Sequence, residues 1–135
     1  MRMTLTTAIL AGVLAGVLAS VPAFAEDAPI LSTSGKFDQP SGEALFNQVC
    51  QGCHMADGQG SHGAGAYPAL AANQKLGAKV YPVYMVTSGQ GGMPGFKKYM
   101  DDQQIAEVVN YVRTHFGNHY ADTVTVEDVR AVTRR

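Results

Sequence analysis

The sequence predicts a helical protein without strands. Three patterns carry that expectation. Ile105, Val108, Val109, Val112 and Phe116 form one apolar helical stripe. Phe46, Val49, Cys50 and Cys53 fall at i, i+3, i+4 and i+7 on another. Between these segments lie two glycine-rich stretches, DGQGSHGAG at 57–65 and GQGGMPGF at 89–96, whose composition predicts loops.

The elements follow in chain order. Arg2 supplies a positive start, Ala8 to Val21 is apolar and uncharged, and Ala23-Phe24-Ala25 has the small-x-small pattern that signal peptidase recognises. Residues 1–25 therefore predict a signal peptide cleaved after Ala25, with the mature chain in a bacterial periplasm. The alternative is an uncleaved anchor, because Leu5 to Ala25 is long enough to span a bilayer. Pro22 and the cleavage pattern favour removal. Residues 26–40 are rich in Pro, Ser, Gly and Asp and predict an extended lead-in. A first helix is expected over Ser41–Cys53, with Ser41 as N-cap and Glu43 at the positive helix start. A second is expected over Lys79–Ser88, with Pro82 in its first turn and Gly89 as its stop. A third spans Asp102–Phe116, with Asp101 and Gln104 as a capping box, Met100 and Ile105 as a staple, and Gly117 as its end. A last short helix is possible over Val126–Thr133, capped by Thr125 with Asp128, and Val124 stapling Val129.

At 135 residues the chain predicts one domain. A chain this short buries a thin core and depends on extra staples such as a metal or a covalent link. The net charge is −1, and no basic face marks a nucleic-acid binder. Both cysteines sit in one short motif, so no disulfide framework crosses the fold.

That motif is Cys50-Gln51-Gly52-Cys53-His54, which fits the haem-attachment signature C-x-x-C-H. Two thiols add to the two vinyl groups of haem as thioethers. A two-residue gap sets both sulfurs along one porphyrin edge, and the next residue, His54, can then bind iron. A Cys50–Cys53 disulfide would close a tiny, strained loop. A thioredoxin-like pair would sit near a βαβ pattern, and none is visible. A zinc site would want four ligands, and a second cysteine pair is absent. One covalent haem c is therefore the expected cofactor.

Electron transfer without substrate binding calls for a second axial ligand, commonly Met or His. Met55 adjoins His54 and cannot reach the opposite ring face. Met85 falls within a helix and reads as core, and Met100 is the staple residue. Met93 stands alone in a glycine-rich loop stiffened by Pro94, which suits presentation of one thioether to iron. A packing role for Met93 is the simpler alternative. His62 is its main rival but lies in the flexible loop close to the attachment site. His115 and His119 lie near a helix end, where an imidazolium complements the helix dipole.

Together these residues resemble the class I cytochromes c. The resemblance spans roughly Ser41 to Asn118 and rests on CQGCH at 50–54, GMPG at 92–95 and the helix end NYVR at 110–113. It implies an all-α cytochrome c fold, three to five short helices wrapped around one covalently bound haem. The domain would cover residues 41–118, with 119–135 as a tail. It implies that Gly42 and Phe46 meet Tyr111 where the first helix crosses the Asp102–Phe116 helix. It also implies that the Pro68 carbonyl accepts the His54 Nδ1 proton, and that Leu70 touches the haem. Phe116-Gly117-Asn118, followed by Thr123 to Val129, is similar to the tail of cytochrome c subunits of periplasmic dehydrogenases.

Three functions are expected on these grounds. The first is a periplasmic monohaem electron carrier, not an enzyme, with His54 and Met93 on the iron. It would pass electrons from a donor oxidoreductase to an oxidase or another cytochrome. The second is a permanent subunit of a membrane-associated dehydrogenase, docked through residues 26–40 and 120–135. The third is a haem sensor or enzyme with an open iron site. Lys75, Lys79, Lys97 and Lys98 could steer an acidic partner, or simply form a solvated surface.

Overall fold

The computed structural model describes residues 35–63 and 65–134. The expected signal peptide and its cleavage site lie outside the described residues, as does most of the lead-in. Among the described residues no helix is long and apolar enough to cross a membrane.

Among the described residues the chain forms four α-helical elements, of which the first is composite. Ser41 Oγ accepts a hydrogen bond from the Ala44 amide at 3.2 Å and starts α1, Gly42–Leu45. A π-helical turn over Phe46–Cys50 comes next, closed by the Gln51 amide donating to the Phe46 carbonyl, and α2 (Gln51–His54) completes the element. The sequence periodicity predicted one regular helix here. The wide turn absorbs an extra residue and rotates α2 about the helix axis. Phe46 is therefore fully buried, while Cys53, expected on the same face, is exposed.

The glycine-rich segment after α2 departs further from expectation. Ser61–His62 (β1) pairs antiparallel with Ala66–Tyr67 (β2), in register Ser61 to Tyr67 and His62 to Ala66. Period-two patterning cannot show a ribbon this short, because two residues carry no alternation. A 3-10 turn at Gln74–Gly77 was also missed; it is capped by Asn73 Oδ1, which accepts from the Lys75 amide at 3.0 Å. The next helix, α3 (Val80–Ser88), keeps Pro82 in its first turn and ends at Gly89, whose φ is +71°.

The long helix α4, Asp102–Thr114, carries the core. Asp101 Oδ1 accepts from the Gln104 amide at 2.8 Å, and Gln104 Oε1 accepts from the Asp101 amide at 3.0 Å. Met100 and Ile105 are both buried, as a staple requires. The helix stops two residues before the expected Phe116. Phe116 and Gly117 adopt φ of +57° and +78°, reversing the chain. That reversal keeps the Phe116 ring 4.8 Å from Phe46 and aims Asn118 back into the protein.

The element α1 crosses α4 at very close range. A Cβ on Gly42 would lie 2.1 Å from the Glu107 carbonyl oxygen, so only glycine fits. Phe46 then packs with its ring centroid 5.5 Å from Tyr111.

Residues after Asn118 complete the core. In α5 (Val126–Thr133) the Thr125 and Asp128 side chains cap reciprocally, and Val124 and Val129 are buried. Asn110 clamps the Val124 backbone, with Nδ2 donating to its carbonyl at 2.9 Å and Oδ1 accepting from its amide at 2.8 Å. Arg113 is fully buried. Its Nε donates to the Leu76 carbonyl at 2.9 Å and Nη2 to the Gly77 carbonyl at 3.3 Å. Nη2 also meets Asp122 Oδ1 at 2.6 Å, and Nη1 donates to the Asp122 carbonyl. The hydrogen bond from Arg113 holds the Asp122 carboxyl below the usual carboxylate range. The described end of the lead-in is tethered to the domain: Phe37 donates from its amide to Tyr99 O at 3.0 Å, and its carbonyl accepts from Gln104 Nε2 at 2.6 Å.

Two outcomes test this packing. Gly42→Ala should destabilise the protein by about 1–3 kcal/mol or more, because the helices must separate; the measurement is the urea unfolding midpoint. Arg113→Met should cost about 1–3 kcal/mol for each buried carbonyl it leaves without a donor. Asp122→Asn, at an exposed side chain, should shift the same midpoint far less.

Candidate functional site

The described residues enclose an apolar cleft with about 760 Å³ of empty space, part of it open to solvent. The composite first helix contributes Cys50 and His54 to its wall. The segment after β2 contributes Pro68 and Leu70, and the 3-10 turn and its cap contribute Asn73, Lys75 and Leu76. Tyr81, Pro82, Met85 and Val86 come from α3, Met93 from the loop beyond it, and Val108 and Val112 from α4.

His54 is buried, at 8% exposure. Its Nδ1 lies 2.9 Å from the Pro68 carbonyl oxygen. A carbonyl can only accept, so Nδ1 carries the proton and donates. In the neutral ring the lone pair is then on Nε2, the atom left free to bind a metal. The turn after α2 seats this acceptor. The Gly60 amide donates to the His54 carbonyl at 2.9 Å, and the Gly58 carbonyl accepts from Leu70 at 2.7 Å and Ala71 at 2.9 Å. Gly60 has φ +65°, and a Cβ there would sit 2.1 Å from the Tyr67 oxygen.

Met93 is presented by a tight turn. The Gln90 and Met93 amides each donate to the other's carbonyl at 3.0 Å. The turn lies flat on the end of α3, where a Cβ on Gly89 would meet the Met93 oxygen at 2.3 Å. Met85, expected in the core, stands instead on the cleft wall and is half-buried. Met100 is sealed in the core at 1% exposure. His62 is exposed on β1 and absent from the cleft wall, as are His115 and His119. His115 instead stacks on Tyr111, ring centroids 4.1 Å apart.

Cys50 and Cys53 are not joined to each other by a disulfide. In the chain before haem attachment, burial, with a smaller contribution from Cys53, pushes the Cys50 thiol up to about 12. Cys53 is exposed and is not part of the cleft lining. The donor set fits a haem. Two thiols bracket a helix end, a neutral imidazole is fixed by its second nitrogen, two thioethers line the cleft, and the walls are otherwise largely apolar.

Residues 38–112 match the family described as cytochrome C oxidase, cbb3-type, subunit III. The chain belongs to this family of cytochromes c. It is accordingly an electron-transfer domain rather than a catalytic enzyme, and it carries one covalent haem c through the Cys50/Cys53 motif. Cytochrome c6 from Leptolyngbya boryana is 39% identical over 77 residues, covering 56% of this chain and 89% of the relative. The fructose dehydrogenase cytochrome subunit of Gluconobacter japonicus is 36% identical over 107 residues, covering 67% of this chain and 21% of the relative. The cytochrome c subunit of alcohol dehydrogenase (quinone) from Gluconacetobacter polyoxogenes is 33% identical over 109 residues, covering 71% and 23%. This cytochrome spans about a fifth of the length of those dehydrogenase subunits.

Sequence reading missed the polar supports of the cleft. Asn118 Nδ2 donates to the Leu70 and Val112 carbonyls, both at 2.8 Å, while its Oδ1 accepts from the Asn73 amide at 2.9 Å. Asn118 stands in a loop and carried no periodic signal. Arg113 did carry one, since it follows Val109 by four residues on the buried face of α4.

Gly60→Ala should displace the Tyr67–Pro68 backbone and weaken the His54–Pro68 hydrogen bond. The expected result is several-fold faster hydrogen exchange of the His54 ring N–H in the haem-loaded cytochrome, measured by NMR.

Proposed function

We propose that this cytochrome is a periplasmic monohaem carrier with His54 and Met93 as axial ligands. It passes single electrons from a donor oxidoreductase to a respiratory acceptor. One observation carries the ligation most directly. The Nδ1 proton of His54 is committed to Pro68 at 2.9 Å, and Met93 lines the same cleft from a pinned turn. The haem, when bound, supplies a reversible one-electron couple. The chain's residues bind, orient and exclude water. Pro68 holds the imidazole in one tautomer, and Leu70, Val108 and Val112 keep an apolar wall around it. Pairing a Met thioether with His raises the reduction potential relative to two histidines. Export rests on the signal pattern at residues 1–25. The names of the dehydrogenase relatives support a dehydrogenase as electron donor.

Those same names support a second reading, a permanent subunit of such a complex. The tail argues for the free carrier, because Val124 and Val129 are buried in this chain's own core rather than presented to a partner. The basic residues near the cleft are also partly engaged. Lys97 pairs with Asp102, and Lys79 donates to the Thr123 carbonyl at 2.6 Å and meets Asp128 at 3.4 Å. Lys75 and Lys98 remain for steering an acidic partner.

Met93→Ala should abolish the near-infrared ferric band of Met-ligated haem and lower the midpoint potential, whereas Met85→Ala should retain the band. A band that survives in Met93→Ala would remove the axial assignment and favour an open or differently ligated iron.

A further inference from the structure

The carbonyl that fixes His54 belongs to a proline. Pro68 has no N–H with which to anchor itself, so the residues after it must hold it in place. Some of their bonds run to the turn after α2: the Leu70 and Ala71 amides donate to the Gly58 carbonyl at 2.7 and 2.9 Å. The others run to the chain just beyond α4. The Ala72 amide donates to the Phe116 carbonyl at 3.0 Å, and Asn118 holds the residues on either side. Asn118 is buried, at 3% exposure. Its Nδ2 donates to the Leu70 and Val112 carbonyls, both at 2.8 Å, and its Oδ1 accepts from the Asn73 amide at 2.9 Å. Both amide hydrogens and the oxygen are thus engaged, a pattern that a carboxylate or a hydroxyl cannot reproduce. Val112 lies in the last turn of α4, where carbonyls lack intrahelical partners. One donor would satisfy that carbonyl. The second donor and the acceptor are spent on residues 70 and 73, in the segment that follows Pro68.

We propose that Asn118 is a positioning residue for His54: it holds the 68–73 segment so that the Pro68 carbonyl stays aligned with Nδ1, and so sets how strongly the imidazole donates to iron. This rests on the reading of His54 as an axial ligand. A hydrogen bond from Nδ1 to a carbonyl makes the imidazole a stronger base. A more basic ligand favours ferric over ferrous iron and lowers the reduction potential. Loosening the segment weakens the bond, so the potential rises. Asn110 provides the comparison that separates positioning from stability. It clamps the Val124 backbone with the same amide chemistry, at 2.9 and 2.8 Å, yet it is not part of the cleft lining.

The test uses the full haem-loaded chain and three uncharged variants, Asn118→Leu, Asn118→Ser and Asn110→Ala. For each, NMR gives the hydrogen exchange of the His54 ring N–H, a redox titration gives the midpoint potential, and urea gives the unfolding midpoint. Asn118→Leu, close to asparagine in shape but without its hydrogen bonds, should speed the exchange several-fold and raise the midpoint potential. Asn118→Ser, which keeps one donor, should move both in the same direction by less, and it decides the matter if the leucine variant does not fold. Asn110→Ala should lower the unfolding midpoint while exchange and potential stay in place. Unchanged exchange and potential in the folded Asn118 variants, or equal shifts in Asn110→Ala, would overturn the proposal. In the unaltered ferric chain, His54 ring signals without the large paramagnetic shift of an iron ligand would overturn the ligation reading itself.

Discussion

The close crossing of α1 over α4 governs the architecture. With no side chain at Gly42, the two backbones approach until a Cβ would strike the Glu107 carbonyl. That contact sets the position of Phe46, which fills the space between Tyr111 and Phe116. The π-helical turn begins at Phe46 and redirects the chain so that Cys50 and His54 reach the cleft. The buried stripe of α4 continues into the same space through Val108 and Val112. Helix packing and cofactor enclosure are therefore one arrangement, and a change at the crossing would be felt at the cleft.

The second constraint is polar. The wall formed by residues 68–77 reaches the core through Leu70 and Leu76, and it is also held by polar groups. These are buried amide and guanidinium groups from α4 and the turn beyond it. Asn118 ties Leu70 and Asn73 to Val112, and Arg113 ties Leu76 and Gly77 to Asp122. Each of these groups is satisfied, and no buried side-chain nitrogen or oxygen lacks a partner among the described residues. A fully satisfied network rigidifies the segments it joins. For an electron carrier this rigidity suits the task, since a wall that does not move between oxidation states adds little reorganisation.

Much of the fold was legible in the residues. The capping pairs at Asp101/Gln104 and Thr125/Asp128 marked two helix starts, and the structure has both. Glycine at position 89 and Pro82 in a first turn framed α3 correctly. These signals are local, so a short window of sequence contains them. The misses share the opposite property. The π turn, the ribbon at 61–67 and the early end of α4 arise where tertiary contacts override local preference, and no window contains those contacts.

The site divides in the same way. Spacing alone determined the attachment chemistry, because Cys50, Cys53 and His54 are bound to one helix end by the chain itself. Composition alone singled out Met93 in its glycine-rich loop. Only the tertiary structure decided which other groups share the cleft. It brought the Pro68 carbonyl to 2.9 Å from His54, moved Met85 out of the core to the wall, and placed Lys75 there under the hold of Arg113 and Asn118. Those relations join residues 14 to 45 positions apart in sequence. Packing and directional hydrogen bonds in the folded chain create them, and residue order does not encode them.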